Sequence, residues 1–353
     1  MLFYILFLFC TTGLLLLGNF YPDKNKYLLP ITLITVIFVA GFRLDVGADY
    51  DSYVDWYVNK TRDNGLEFGF VAIMNVFRKL HLSPPFLFFF FSFFTYLFFY
   101  LGIKKFTLNS NLAFIVFLLL PGLFLNSLTF IRQAFSMAVA FYAFYFLLEK
   151  KYLLYLLLML IGISIHNSCF LPFIVFYLVY KFADKIKTNY LYILLALSFI
   201  VSQTQYIKLL GSFFENTRYA YYFSNVVMPV SLLKLVVVNT LAVFVLFYAA
   251  KMKETYPYQK YFLILFVLSV VVTNIFAFRV DLTRLSYYFK MFEVIVIADL
   301  IVLECHKKRN IFFFCFYLYY FTAFMYSLKI DAEVVKIGTK FTPYKNVFFE
   351  INK

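Results

Sequence analysis

Apolar positions in this chain come as continuous runs broken by short polar segments, not as an apolar–polar alternation. Runs without a period of two predict helices and argue against lipid-facing strands. The apolar stretch at 2–18 has no Lys or Arg before it, unlike the basic start of a cleaved signal peptide, and predicts an uncleaved first span. A short span is expected at 28–42. Others follow near 86–103, 110–125, 130–148, 152–165, 168–180, 190–204, 229–250, 260–278, 285–303 and 310–328, twelve in all. Several fall short of the ~20 residues that cross a bilayer comfortably. The segment opening at Glu67 (EFGFVAIMNVFRKLH) is moderately apolar and too short to span, and predicts an interfacial or re-entrant helix.

Composition agrees with that pattern. The chain is 64% hydrophobic and 14% charged, against roughly 45–50% and about 25% in soluble domains. The fold class expected is therefore an all-α integral membrane protein, a multi-span helical bundle of about a dozen transmembrane helices. One composition regime runs throughout, so residues 1–353 are expected to form one polytopic domain with outer-side loops at 43–85 and 205–228. The formal charge of +14 is scattered singly and in pairs between spans, which reads as membrane topology and not as a nucleic-acid face. The four cysteines lie in or beside apolar runs, so neither a disulfide framework nor a zinc site is expected.

The lysines set an orientation. Lys24/Lys26, Lys104/Lys105, Lys150/Lys151, Lys181/Lys185/Lys187, Lys251/Lys253/Lys260 and Lys307/Lys308/Arg309 fall in every second connection. These mark the cytoplasmic side and leave both termini outside. The arginines distribute differently. Of eight, only Arg309 is on the lysine side; Arg43, Arg62, Arg78, Arg132, Arg218, Arg279 and Arg284 are on the outer side. A guanidinium is a rigid fork of donors suited to phosphate or carboxylate, so this bias predicts an outer-side site for an anionic ligand.

Four stretches carry candidate chemistry. GFRLDVGADYDSYVDWY (41–57) places Arg43, Asp45, Asp49 and Tyr50 at the end of a span, where charge must meet water or a polar cavity. Arg43 is a phosphate ligand in this reading, and Asp49 or Asp45 a base or hydroxyl acceptor. An ion-paired structural loop is the plain alternative. FIRQAFSMAVAFYA (130–143) sets Arg132 and Gln133 at the outer end of a span whose small residues share a face with Arg132. GISIHNSC (162–169) puts His166 at the outer junction of two short spans, as a structural or a hydroxyl-orienting residue. FRVDLTRLSYYFKMFE (278–293) gives Arg284 with Tyr288 one turn later, while Lys290 and Glu293 are spaced to pair. The aromatic outer loop at 205–228 suits carbohydrate or interfacial anchoring equally. No Walker loop, GxGxxG or HExxH is present, which leaves an ATP-driven pump or a zinc protease without support.

These stretches resemble a known family. Gly41-Phe42-Arg43 followed by Val46-Gly47-Ala48-Asp49-Tyr50, then Ile131-Arg132-Gln133, His166-Asn167-Ser168 and Arg284 with Tyr288-Phe289 are similar, in order and on one membrane side, to the elements of the EpsG-type polysaccharide polymerases of the Wzy class. Glu67 and Pro343-Tyr344 fit the pattern more loosely. The resemblance implies a glycosyltransferase of the bacterial cytoplasmic membrane with a GT-C-like fold and an outward-facing site. It would join undecaprenyl-diphosphate-linked oligosaccharide units into O-antigen, capsule or exopolysaccharide. The expected roles are diphosphate and substrate binding by Arg43, Arg132, Arg284, Tyr50, Gln133 and Tyr288, with Asp49, Asp45 or His166 acting on the acceptor hydroxyl. No cofactor or metal is expected; the partners expected are the lipid-linked oligosaccharides, the bilayer and a chain-length regulator. The arginines from distant stretches are expected to converge on one pocket. The competing readings are a lipid-linked oligosaccharide flippase, which should show internal repeats, a sugar O-acyltransferase built on His166, and a ligase moving finished glycan.

Overall fold

The computed structural model describes residues 1–60, 65–204, 229–256, 258–304, 306–333 and 340–350. Arg62 and the 205–228 loop, with its Glu215, Arg218, Tyr219, Tyr221 and Tyr222, lie outside the described residues. In chain order the helices are α1 Leu2–Phe20, α2 Pro22–Gly41, α3 Tyr50–Asn59, α4 Phe68–Lys79, α5 Pro84–Phe106, α6 Ser110–Leu119, α7 Phe124–Thr129, α8 Ile131–Leu148, α9 Tyr152–Ile165, α10 Phe170–Phe182, α11 Thr188–Ser202, α12 Leu232–Phe247, α13 Ala249–Thr255, α14 Gln259–Ile275, α15 Val280–Thr283, α16 Tyr287–Leu303, α17 His306–Glu333 and α18 Val347–Glu350. No strand occurs among the described residues; an isolated antiparallel bridge joins Arg43 and Asn346.

Among the described residues five helices are long and apolar enough to cross a membrane: Leu2–Phe20, Pro22–Gly41, Pro84–Phe106, Ile131–Leu148 and, within α17, Lys308–Asp331. The pair α12–α13, bent by 56°, makes a sixth if it is one broken span. Ser110–Leu119, Tyr152–Ile165, Thr188–Ser202 and Gln259–Ile275 are apolar but only 10–17 residues long. At 1.5 Å per residue the shortest of these falls well under the ~30 Å hydrocarbon thickness. The apolar runs thus become helices where the pattern places them, and length separates the clear crossings from the short ones. The run near 110–125 breaks at Pro121, where a residue without an N–H ends α6 before α7 begins. The segment after Glu67 becomes the 12-residue α4.

The chain divides into two compact units, one of residues 1–174 with 304–353 and the other of residues 175–303. In the first, α8 packs on α5 and α9, α2 on α1 and α5, and α4 on α9. Close approach between α8 and α9 depends on small groups. The Ser136 hydroxyl donates to the Gly162 carbonyl at 2.8 Å, and a Cβ on Gly162 would sit 2.7 Å from Cys169 Sγ. In the second unit α14 packs on α16, α11 and α12. Several of its buried polar groups pair with one another: Asn274 donates to Ser198 at 2.9 Å and exchanges hydrogen bonds with Asn239, Gln259 donates to Asp299, and Lys290 meets Glu293 at 2.9 Å.

Residues 340–347 clamp the turn after α2. Leu44 N–H donates to Lys345 O at 3.0 Å, Gly47 N–H to Lys340 O at 3.1 Å and Val347 N–H to Phe42 O at 2.9 Å. The clamp is fixed in turn to α1, where Phe3 stacks on Tyr344 with centroids 3.8 Å apart and the Tyr4 hydroxyl donates to Phe341 O. Asp331 near the end of α17 accepts from Phe341 N–H at 2.8 Å and Thr342 N–H at 3.1 Å. Gly47 lies at φ +99°, and a Cβ there would stand 2.2 Å from the Leu128 carbonyl oxygen. A Gly47→Ala change meets both a left-handed backbone and that carbonyl, and should destabilise the protein by roughly 2 kcal/mol or more. Gly13→Ala within α1, where a Cβ would meet nothing within 4 Å, should be neutral or stabilising. Thermal unfolding of both variants in detergent checks the contrast.

Candidate functional site

The Glu67 carboxylate gathers three of the sequence stretches. It sits at the N-cap of α4, with φ −67° and ψ 139°, where the chain turns from the loop into the helix. Oε2 accepts from Nη1 of Arg132, the second residue of α8. Oε1 lies 3.0 Å from Nδ1 of His166 and accepts the Asn167 backbone N–H at 3.2 Å, at the junction that follows α9. The three side chains are partly sheltered, 10% exposed for Glu67, 17% for Arg132 and 26% for His166. Such a cluster is reachable from outside yet dry enough for its charges to matter. Gly69 lets α4 come this close to α9, since a Cβ there would stand 2.4 Å from Ser164 Oγ.

Burial pushes the Glu67 carboxyl up, but the hydrogen bond to His166 and the charges of Arg132 and His166 outweigh it. The result is a carboxyl lowered to about 2, so Glu67 is an anion throughout the neutral range. A carboxylate facing Nδ1 favours the tautomer that carries its proton there and leaves Nε2 as the acceptor. Aromatic faces surround the Arg132 guanidinium: Trp56 and Phe70 at 5.4 Å and Tyr53 at 5.9 Å. Its Nε is buried without a partner. Burial raises the pKa of the Tyr53 hydroxyl despite the opposing charge of Arg132. Gln133, beside Arg132, is buried.

Arg43 stands apart from the Glu67 carboxylate and points inward. It is fully buried, Nε donates to Val46 O at 3.0 Å and Nη1 donates to Ala40 O. Its Nη2 has no partner, and the guanidinium lies 4.8 Å over Phe88. Tyr50 stacks on the same ring, centroids 4.5 Å apart, and Tyr53 meets it edge-on at 6.3 Å. Phe88 and Tyr53 therefore form an aromatic ladder from Arg43 to Arg132. Two nitrogens of Arg43 are engaged by backbone carbonyls, and Nη2 stays buried without a hydrogen-bond partner.

Asp45 adopts φ +53° and pairs with Lys340 at 3.5 Å and Lys345 at 3.7 Å. Asp51 pairs with Lys340 at 2.5 Å. These acids are thus ion-paired, with lysines from the far end of the chain and not with Arg43, whose hydrogen bonds go to backbone carbonyls. The hydrogen bond to Asp51 leads the causes that raise Lys340. Asp49 caps the start of α3, its carbonyl accepting from Tyr53 N–H at 3.0 Å. Arg284 and Tyr288 belong to the second unit. There Arg284 is 40% exposed and 3.3 Å from Asp281, Arg279 is buried 3.6 Å from the same carboxylate, and Tyr288 is buried. No grouping of three or more His, Cys, Asp or Glu side chains suited to a metal occurs among the described residues.

Two participants were not assigned from the sequence. Glu67 was visible as an acid before an apolar helix, but its link to residues 65 and 99 positions away has no local signature. The Asn167 backbone N–H is invisible to side-chain reasoning altogether. A sequence model of the EpsG family matches residues 26–346, which takes in every stretch described above. No curated protein and no solved structure matches the chain.

Glu67 also dictates a response to acid. A carboxyl whose folded pKa is lowered contributes stability that is complete above its ordinary value of 4.5 and is lost as pH falls toward about 2. Thermal unfolding between pH 6 and about 2.5 should show the midpoint falling below pH 4.5. Glu67→Gln should start from a lower midpoint at pH 6 and lose less of it over the same range.

Proposed function

The chain belongs to the EpsG family, whose members are Wzy-type polymerases, and on that premise we propose how it builds polysaccharide. The donor is a glycan chain on undecaprenyl diphosphate and the acceptor is the next lipid-linked oligosaccharide. The reaction takes place at the outer face of the bacterial cytoplasmic membrane. The observation that carries this reading is the joining of Arg132 and His166 by one carboxylate, which sets a guanidinium and an imidazole side by side.

In this scheme the acceptor hydroxyl oxygen forms a bond to the anomeric carbon of the donor. The bond from that carbon to the diphosphate oxygen breaks, and the lipid diphosphate leaves with the electron pair. His166 Nε2 takes the hydroxyl proton, while Glu67 holds Nδ1 and fixes the ring. Arg132 keeps N–H groups beyond the one given to Glu67, and these face the charge that develops on the departing diphosphate. Gln133 contacts the sugar or diphosphate beside Arg132, and Arg284 with Tyr288 keep the ligand-binding role that their stretch suggests. The ladder under Arg132 keeps its plane fixed, and Trp56 offers a face for a sugar ring. Asp45 and Asp49 are assigned to hydroxyl contacts. Arg43, with Tyr50 and Phe88, supports the turn that carries them, and in this reading its buried Nη2 is the donor left for a diphosphate that reaches the turn. His166 is preferred as base because Asp45 is already paired with two lysines.

The finer topology belongs to the same proposal: about twelve crossings in a GT-C-like arrangement, both termini outside, and a chain-length regulator as partner. No metal is needed in this scheme, because guanidinium groups stabilise the leaving diphosphate. A flippase requires no general base, so the paired imidazole weighs against that reading.

His166→Ala and Arg132→Ala should each remove long chains, by roughly a hundredfold or more in product, while the protein still inserts at its normal level. Arg132→Lys should recover little, since a point charge cannot copy the fork. Electrophoretic glycan ladders from cells complemented with each variant check this, and normal ladders would remove these residues from the site. Purified enzyme should keep its polymerising rate in excess chelator; a sharp loss would end the metal-free scheme.

A further inference from the structure

The reaction proposed above leaves one polar cavity of the first unit unused. It holds about 560 Å³ and opens between the α1–α2 turn, the last turns of α5 and the start of α6. That volume lies within the roughly 300–1,000 Å³ of small-molecule sites. Its polar wall is Asn19, Asn25, Asn109 and Asn111, with Lys26 and Lys104; no Asp or Glu lines it. Leu29, Pro30 and Leu108 make an apolar side.

Two features point to what enters. Asn111 is 2% exposed, and its amide nitrogen donates to the Oδ1 atoms of both Asn19 and Asn25 at 3.0 Å. Its own Oδ1 is buried with no partner, so it calls for a donor. A Cβ on Gly18 would come within 2.4 Å of Asn25 Oδ1 and 2.8 Å of Asn111 Nδ2, so only glycine lets α1 lie against this cluster. Lys26 and Lys104 both line the cavity with no carboxylate in its wall to neutralise their charge, which suits an anion.

We propose that this cavity binds a hydroxylated phosphate ester, the chemistry of a glycerol-phosphate headgroup on an anionic membrane lipid. The phosphate oxygens accept from Lys26 and Lys104, and a headgroup hydroxyl donates to Asn111 Oδ1. The apolar side meets the glycerol backbone and the first carbons of an acyl chain. No bond is made or broken; this is a binding site at the lysine-bearing end of α5.

The test uses the purified full chain in detergent, titrated with short-chain phosphatidylglycerol, short-chain phosphatidylcholine and free glycerol phosphate, and read by calorimetry. Phosphatidylglycerol should bind at least tenfold tighter than phosphatidylcholine, and Lys26→Gln/Lys104→Gln should weaken it by about tenfold. The control double Lys24→Gln/Lys105→Gln removes the same charge from the same segments outside the cavity, and should change little. Both pairs are exposed, so folding is preserved. Glycerol phosphate binding as well as the lipid identifies a free phosphate ester as a source, and lipid binding alone identifies the headgroup; either supports the site. Equal losses in the two doubles, or equal affinity for the two lipids, would overturn it.

Discussion

One buried-edge carboxylate orders the candidate site. Glu67 holds a guanidinium on one oxygen and an imidazole with a backbone N–H on the other. Each group alone would be expensive to keep in a half-dry place beside membrane-length helices. Together they compensate one another, and the lowered carboxyl records the net attraction. Remove the anion, and Arg132 and His166 lose the reason to share one corner of the first unit.

The rest of that unit makes the corner rigid. Small groups let α8 and α9 touch, so the starts of the two motifs arrive at fixed positions. The aromatic ladder of Phe88 and Tyr53 runs beneath Arg132 toward Arg43. Arg43 closes the turn after α2 by donating to its own carbonyls, and residues 340–347 clamp that turn from the far end of the sequence. Backbone hydrogen bonds and ring packing thus carry the charged groups to the corner, and the Glu67 carboxylate joins them there.

Much of this was legible beforehand, because membrane helices announce themselves by continuous apolar runs. Tyr152–Ile165 coincides with its run residue for residue, and α5, α8 and α14 lie within a few residues of theirs. Several runs gave helices of 10–17 residues, since hydropathy marks burial as readily as lipid. Arg132 and His166 were legible as candidates because the arginines gather on the side opposite the lysines and His166 falls at the junction of two short spans. Their partner was not, since Glu67 reaches them only through tertiary folding. Arg43 was read as binding a ligand; in the structure its side chain is buried and two of its nitrogens bond the carbonyls of Ala40, in the last turn of α2, and Val46, in the turn that follows. A sequence shows where charge lies along the chain and not which way the side chain points.

The tautomer of His166 tests the central claim most directly. The chain has three histidines, so nitrogen-15 labelling of histidine, with His166→Gln for assignment, resolves its ring nitrogens by magnetic resonance in detergent. The account predicts the His166 proton on Nδ1 in the neutral ring, bonded to Glu67, with that population lost in Glu67→Ala. A neutral ring protonated on Nε2, or a spectrum indifferent to Glu67, would contradict it.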